Sequence, residues 1–213
     1  MSDVQLLVIA KAPVAGRSKT RLSPPCSPEE AAWLAEAALA CTLQAVALTP
    51  ASRRVLVLDG ERGAWMPDGF QVLPQRGAGL DERLAAAFID AGAPSLLIGM
   101  DTPQVTPTLL GEAVEALTSP DVDAVLGRAT DGGWWAVGLR RPDPAAFLGV
   151  PMSMPETHAA QLRRLAALGY RIEQLGELRD VDRFDDALAV AAEIPGSEFA
   201  RRLRHIRDGR PSA

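Results

Sequence analysis

Four basic side chains stand close together near the start of the chain. Residues 11–21 read KAPVAGRSKTR and contain no acidic residue. The cations are Lys11, Arg17, Lys19 and Arg21. Fixed cations and exposed backbone N–H groups compensate the dense negative charge of a polyphosphate, and Gly16 with a proline indicates a loop. The segment therefore predicts a phosphate-binding loop, and the alternative is a basic loop that only faces solvent.

Several familiar motifs are absent from the sequence. The basic loop is not a Walker A motif, because Ser18 rather than glycine precedes Lys19. In residues 75–84, Glu82 stands where a dinucleotide-binding GxGxxG would need its third glycine. No GxSxG elbow is present, and two histidines exclude a zinc site built on several histidines.

Carboxylates follow two predicted strands. Asp101 comes after the apolar run SLLIG, where it could either cap a helix beginning near Thr106 or bind a divalent cation. Mg²⁺ and Mn²⁺ prefer hard oxygen ligands and usually take one or two carboxylates from the protein. Asp180 and Asp182 are two residues apart, so on an extended segment they point to the same side. One is a candidate second ligand and the other a candidate helix cap.

A tight turn is predicted at Asp131-Gly132-Gly133, directly before two tryptophans. Paired glycines permit positive φ angles or the close approach of a ligand to the backbone. Asp131 is a candidate for orienting or deprotonating an acceptor hydroxyl, and the alternative is a hairpin turn that begins with aspartate. Neighbouring strand residues face opposite sides, so at most one of Trp134 and Trp135 readily joins a pocket here.

The elements that must position these residues alternate along the chain. Strands are predicted at residues 4–10, 54–58, 70–73, 95–99, 123–126, 134–138 and 171–175. Helices are predicted at residues 28–48, 80–91, 106–117, 155–168, 183–192 and 197–207. This order predicts one α/β domain over residues 1–213, with a mostly parallel sheet covered on both faces and a helical tail at about 197–213. Ligands of such sheets lie at the carboxyl ends of strands, where the motifs fall.

Composition limits the partners and the compartment. The 213 residues carry 22 basic and 27 acidic side chains, which gives a net charge of −5 and does not favour nucleic acid as a partner. No apolar run reaches the roughly 18 residues of a membrane span, and the first residues do not resemble a secretory signal. Two cysteines without a CxxC motif are typical of a reducing compartment. We expect a cytoplasmic protein without a membrane partner, and the sequence does not indicate the oligomeric state.

Four segments, in this order, resemble a known family. They are KAPVAGRSKTRL at residues 11–22, GMDTP at 99–103, DGGWWAVGL at 131–139 and LRDVD at 178–182. Together they are similar to the radical-SAM/selenodomain-associated transferase family, within the GT-A-like nucleotide-diphospho-sugar transferase superfamily. The similarity runs from residue 4 to about residue 190. It implies a single-domain Rossmann-like α/β/α sandwich, with a nucleotide over the carboxyl ends of the amino-terminal strands.

The resemblance also implies roles for individual residues. Asp101 would bind Mg²⁺ or Mn²⁺ with Asp182 as the second ligand, and the catalytic candidates are Asp101, Asp131 and Lys19. Nucleotide and phosphate contacts fall on Lys11, Gly16, Arg17, Lys19, Arg21, Gly79 and Leu80. The acceptor side falls on Gly132, Gly133 and Trp134. The chain departs from the family at residues 78–81, usually a GDLG-like stretch, and at residues 152–154, where Met-Ser-Met replaces a tryptophan-serine-threonine group.

The sequence supports three hypotheses about the function of the protein. The leading hypothesis is a metal-dependent transferase that moves a glycosyl group from a nucleotide sugar to a small acceptor. The second follows from the similarity of the basic loop to 2-phospholactate guanylyltransferase and its molybdenum-cofactor relative. In that case an anionic acceptor attacks the α-phosphate of a nucleoside triphosphate and pyrophosphate leaves. The third is a nucleotide-binding protein without catalytic activity.

Overall fold

Seven strands form one sheet in the computed structural model, which describes residues 3–209. The strands are β1 (Gln5–Lys11), β2 (Arg54–Asp59), β3 (Gln71–Pro74), β4 (Ser95–Gly99), β5 (Ala124–Ala129), β6 (Trp134–Leu139) and β7 (Ile172–Leu178). Their order across the sheet is β3-β2-β1-β4-β6-β5-β7. β6 runs antiparallel to both of its neighbours, and the other pairs are parallel. The predicted mostly parallel sheet is therefore confirmed.

Helices cover both faces of this sheet. They are α1 (Pro28–Leu48), α2 (Leu80–Ala91), α3 (Pro107–Thr118), α4 (Thr157–Ala167), α5 (Phe184–Glu193) and α6 (Glu198–Asp208). Buried side chains of α1 and α3 pack on one face, and those of α2 and α4 pack on the other. A further cluster joins α1 to α5 and α6. The result is the predicted three-layer α/β/α sandwich. The end of the predicted tail, residues 210–213, lies outside the described residues.

Local sequence signals explain where the helices begin. Ser27 caps α1 and Glu30 completes the capping box, with Pro28 in the first turn. Thr106 caps α3, since its side chain accepts a hydrogen bond from the backbone N–H of Leu109. Asp101 is therefore not the cap of α3, which leaves its carboxylate for another role.

Helix α1 is unusually apolar. By length and composition it could cross a membrane, contrary to the expectation from the sequence that no segment could. More than half of its most apolar window is buried, since one side packs against the sheet and α3 and another against α5 and α6. Its apolar composition is therefore that of a helix placed between two layers of the core.

The sheet order places the predicted motifs around one edge. Parallel strands β1 and β4 are adjacent, so their carboxyl ends bring Lys11 and Gly99 together at the centre. On one side of β4 lie β1, β2, β3 and the start of α2, and on the other lie the β5–β6 hairpin and the end of β7. The site is consequently built from two halves that meet after β4.

Candidate active site

Two cavities open at the carboxyl ends of β1 and β4. The larger, here called the cleft, has a volume of about 550 Å³ and extends from β1 and α2 to the β5–β6 hairpin. The smaller, here called the side cavity, has a volume of about 240 Å³ and lies between the basic loop and α1. Lys11, Met100 and Asp101 line both cavities. Asp101 therefore stands where the two meet.

The basic loop is folded back on itself. The backbone N–H groups of Arg17 and Ser18 both donate to the carbonyl of Val14, whose own N–H donates to Ser18 Oγ over 2.8 Å. Gly16 has a φ of +73°, and Lys19 has a left-handed φ of +49°. A non-glycine residue in that region costs of the order of 1–3 kcal/mol and is held there by its surroundings. The turn brings the predicted cations Arg17, Lys19 and Arg21 to the side cavity.

Lys19 connects this loop to the end of β4. Its Nζ lies 2.7 Å from Oδ1 of Asp101 and donates to the backbone carbonyl of Val181. Only 11% of the Lys19 side chain is exposed, so the ammonium is positioned by the protein rather than by solvent. The sequence prediction placed the basic loop and Asp101 together, and the structure joins them by a direct ion pair.

The segment after β7 approaches the same point. The backbone N–H of Val181 donates to the carbonyl of Asp101 over 2.8 Å, which fixes residues 180–182 beside β4. Asp182 lines the side cavity and pairs with Arg21 over 3.0 Å. Asp180 instead lines the cleft. Arg183 occupies the cap position of α5 and bonds there with Asp186, so neither aspartate is the predicted helix cap.

Asp180 lies among other carboxylates. Burial, followed by the negative charge of Asp131, raises the pKa of Asp180 to about 6. The charge of Lys19 lowers this pKa and that of Asp101 raises it further. The aspartates at 101, 131 and 180 therefore share one region of negative potential, which a bound cation would relieve.

The hairpin supplies the other half of the cleft. As the alternative interpretation of the sequence predicted, Asp131 begins a turn between antiparallel strands, and its Oδ1 accepts a hydrogen bond from the N–H of Gly133 over 2.7 Å. Asp131 also lines the cleft, with Gly133 and Trp134. Trp134 packs with the α2–α4 layer and Trp135 with the α1–α3 layer, so the tryptophans face opposite sides as predicted. Trp135 also borders the cleft, so the prediction that at most one of the two tryptophans joins a pocket was wrong.

Gly132 lies behind the turn rather than in the cleft. Its φ is +92°, and a Cβ added there would lie 1.9 Å from the carbonyl oxygen of Pro155. Its own carbonyl accepts from the N–H of His158, which ties the turn to the start of α4. Glycine is required here because the hairpin and residues 155–158 touch backbone to backbone.

We expect Gly132→Ala to lower the free energy of unfolding by about 2–4 kcal/mol, because it adds a steric clash to an unfavourable φ. Urea denaturation followed by circular dichroism measures this change. Gly196→Ala is a suitable control, since a Cβ there meets nothing within 4 Å and its φ is not in the left-handed region. Equal stability of the Gly132 variant and the wild type would mean that the turn does not touch Pro155.

The α2 side of the cleft holds residues that sequence analysis missed. Leu80 lines the cleft as predicted, whereas Gly79 forms the cap position of α2 beside it. Arg83 and Gln75 also line the cleft and are hydrogen-bonded to each other over 3.1 Å. Arg83 further pairs with Asp59 over 3.1 Å. Arg83 lies one helical turn after Leu80, and this i, i+3 spacing is the signal that could have identified it.

The predicted site residues thus assemble around Asp101. Those that line a cavity are Lys11, Arg17, Lys19, Arg21, Leu80, Asp101, Asp131, Gly133, Trp134 and Asp182. Gly16, Gly79 and Gly132 line neither cavity and instead shape the turns that carry the others. Residues 152–154, where the chain departs from the family it resembles, also line the cleft.

The oxygen ligands fit a magnesium or manganese ion only in part. Within residues 3–209, no group of three or more histidine, cysteine, aspartate or glutamate side chains is placed to hold a metal alone. Mg²⁺ usually needs one or two carboxylates, with substrate phosphates completing its ligands. Asp101, with its buried Oδ1, and a carboxylate of residues 180–182 provide such a pair beside the cations. The donor set therefore suits a cation that arrives with a polyphosphate.

Comparisons with known proteins agree with this architecture. The sequence profile of a family described as "Uncharacterized protein conserved in bacteria (DUF2064)" matches residues 36–154, more than half of the chain. No curated protein matches the sequence. The chain is similar to a crystal structure from Desulfovibrio desulfuricans G20 that is described as a candidate nucleotide-diphospho-sugar transferase. The TM-score is 0.85 at 25% identity over 98% of each chain.

Two more distant structures share the fold. One is a CMP:2-keto-3-deoxy-manno-octonic acid synthetase complexed with CTP, with a TM-score of 0.58 at 13% identity over 91% of this chain and 99% of the other. The second is 2-C-methyl-D-erythritol 4-phosphate cytidylyltransferase from Thermus thermophilus, with a TM-score of 0.57 at 17% identity over 89% and 98%. The predicted fold of nucleotide-diphospho-sugar transferases is thereby confirmed.

Proposed function

Because this chain belongs to the DUF2064 family and has the fold of nucleotide-diphospho-sugar transferases and cytidylyltransferases, we propose that it is a nucleotide-dependent transferase. We propose further that its donor is a nucleoside triphosphate, whose nucleoside monophosphate part is transferred while pyrophosphate leaves. The observation that carries this proposal is the meeting of two cavities at Asp101.

The distribution of charge supports a triphosphate. The side cavity is lined by Lys11, Arg17, Lys19 and Arg21, against two carboxylates. The cleft extends away from it on the other side of Asp101 and is large enough for a nucleoside and an acceptor. With the α-phosphate at Asp101, the β- and γ-phosphates would enter the side cavity and an acceptor could approach from the cleft. This arrangement separates the attacking group from the leaving group.

The residues of the chain would act as follows. Leu80 and Arg83 border the part of the cleft nearest α2, where a nucleoside would lie. Lys19 would hold the departing phosphates, because its ammonium is already fixed beside Asp101. Asp131 would accept the proton of the attacking group. A Mg²⁺ or Mn²⁺ ion held by Asp101 would stabilise negative charge on the phosphates.

A second candidate function is glycosyl transfer from a nucleotide sugar. It is favoured by the similarity to the Desulfovibrio structure, which is the highest in identity of the three compared. The diphosphate would then lie at Asp101 and the sugar in the hairpin half of the cleft. This function requires fewer phosphates and leaves the cations of the side cavity largely unused.

Products distinguish the two functions. We expect incubation with Mg²⁺ and each common nucleoside triphosphate to release pyrophosphate slowly, with water replacing the natural acceptor. Release of a nucleoside diphosphate from a nucleotide sugar, without pyrophosphate release from any triphosphate, would support glycosyl transfer instead. Tight nucleotide binding without either product would support the non-catalytic alternative.

We propose Asp180 rather than Asp182 as the second metal ligand, because Asp180 lines the cleft with Asp101 and lies within the field of Asp101 and Asp131, whereas Asp182 lines only the side cavity. Asp180→Asn is expected to weaken Mn²⁺ binding in the presence of nucleotide by about tenfold or more, and Asp182→Asn by about threefold or less. Electron paramagnetic resonance of free Mn²⁺ measures both constants. If Asp182→Asn weakens Mn²⁺ binding more than Asp180→Asn does, Asp182 is the second metal ligand, as the family resemblance implied.

A further inference from the structure

The hairpin half of the cleft is negatively charged. We define it as the lining residues from the β5–β6 hairpin, from residues 152–157 and at Asp180. Its ionisable side chains are Asp131 and Asp180, and none of these lining residues is a lysine or an arginine. The cations that line the cleft, Lys11 and Arg83, come from the opposite half. An acceptor bound beside the hairpin would therefore meet carboxylates rather than cations.

Cations near this half are already paired. The ion pairs join Arg128 to Glu177 at 3.2 Å, Arg179 to Asp186 at 3.0 Å and Lys19 to Asp101 at 2.7 Å. Asp131 forms no ion pair within residues 3–209, and its Oδ1 is bonded to the backbone N–H of Gly133. If a metal engages Asp180, the charge of Asp131 remains uncompensated. A phosphate or carboxylate placed here would be repelled.

The wall of this half is apolar. Trp134, Met152 and Met154 line it, and Met154 is 52% exposed at the mouth. Ser153, between the two methionines, has a left-handed φ of +59°. Flexible thioethers adapt to irregular apolar ligands, and a strained loop residue is typical of a ligand-binding segment. The wall therefore suits a ligand with an apolar body.

Two polar groups of the cleft lining have no protein partner. The Nε1 of Trp134 and the Oγ1 of Thr102 are buried, and neither forms a hydrogen bond within the described part of the chain. Thr102 as a whole is only 1% exposed. A buried donor without a partner is unfavourable, so a ligand oxygen or nitrogen that accepts its hydrogen would be stabilised. A polar head that can accept such a hydrogen, as a neutral alcohol or amine can, would therefore be favoured beside the apolar wall.

We propose that the acceptor is an alcohol or an amine on an apolar body, without a phosphate or carboxylate beside the attacking atom. This inference rests on the transferase function proposed above. In the step, the acceptor oxygen or nitrogen forms a bond to the α-phosphorus, and the bond from that phosphorus to the bridging oxygen breaks. The electron pair leaves with pyrophosphate, and one proton of the attacking group passes to Asp131; an amine bound as its ammonium form first releases its extra proton to solvent.

The test compares three probes with one apolar body and different heads: n-hexylamine, 1-hexanol and hexanoate. The chain has four tryptophans, so the indole N–H region of a ¹H–¹⁵N spectrum is simple, and Trp134→Phe assigns the Trp134 signal. Titration of this signal is expected to give an affinity for hexylamine at least about tenfold higher than for hexanoate, with hexanol between them. Equal or tighter binding of hexanoate, or no movement of the Trp134 signal with any probe, would overturn the proposal.

Two variants separate the charge from the apolar wall. Asp131→Asn keeps the oxygen that bonds to Gly133 and removes the charge. The affinity for hexylamine should then exceed that for hexanoate by about threefold or less. Glu115→Gln, on the exposed side of α3, is the matched control and should leave the ratio unchanged. Met154→Ser should weaken the binding of all three probes about equally. Leu48→Ser, at an exposed leucine outside the cleft, should leave the binding of all three unchanged.

The titrations need no nucleotide, so they separate this inference from the proposed function. A preference for the amine in a protein that binds no nucleoside triphosphate would refute the proposed nucleotidyl transfer and leave the charge of the acceptor pocket established. Release of pyrophosphate together with a preference for hexanoate would keep the transferase and refute the proposed acceptor class.

Discussion

Replacing Asp101 by asparagine is expected to lower the rate of pyrophosphate release by a factor of about 10²–10³. The reason is that Asp101 joins the two cavities and is the first candidate ligand for a cation that neutralises the phosphates. Asparagine has nearly the same shape and keeps an oxygen for Lys19, so the protein should remain folded, with a lower melting temperature because the buried Lys19 ammonium loses its counter-charge. The rate is measured by a coupled pyrophosphate assay with saturating Mg²⁺.

Asp121→Asn is the matched control for this substitution, since the Asp121 side chain is 89% exposed and lines neither cavity. It should keep the rate of the wild type. A normal rate in Asp101→Asn, at every Mg²⁺ concentration, would show that Asp101 does not bind the catalytic cation.

The second large effect is expected from Lys19→Met, which keeps the length of the side chain and removes its charge. Lys19 is largely buried and contacts both Asp101 and the backbone of Val181, so solvent cannot replace it easily. Charged hydrogen bonds are worth about 1.5–3 kcal/mol each, so the dissociation constant of a nucleoside triphosphate should rise about 100-fold. That of the nucleoside monophosphate should change by about threefold or less.

Calorimetric titration measures both constants, and Arg207→Ala, which removes an exposed charge outside both cavities, is the control. Lys11 and Lys19 are the only lysines in the 213 residues, so chemical acetylation gives an independent readout. A bound triphosphate should protect both lysines from the reagent. Equal weakening of triphosphate and monophosphate binding would place Lys19 away from the β- and γ-phosphates.

The sequence predicted the fold closely because its local signals agree with one another. The run VQLLVIA before Lys11 and the run SLLIG that ends at Gly99 are mostly apolar, as strands buried on both faces usually are. Proline, capping and glycine signals then located the helices to within a few residues. The antiparallel direction of β6 follows from the tight turn at Asp131, which leaves no room for a crossover.

The site was predicted less completely, for reasons of geometry. The ion pair between Lys19 and Asp101 depends on the left-handed φ of Lys19, which the residue type does not signal. Period-two spacing put Asp180 and Asp182 on the same side, but Arg21 and the contact of Val181 with Asp101 direct them to different cavities. Arg83 was missed because a basic residue on a helix usually faces solvent.

The most direct test is a crystal structure of this protein with Mn²⁺ and the α,β-methylene analogue of whichever nucleoside triphosphate stabilises it most against heat. We expect an anomalous Mn²⁺ peak at the Asp101 carboxylate, the β- and γ-phosphates in the side cavity against Lys19, and the nucleoside in the cleft. A nucleotide whose phosphates lie in the hairpin half, with the side cavity unfilled and no Mn²⁺ at Asp101, would contradict this expectation.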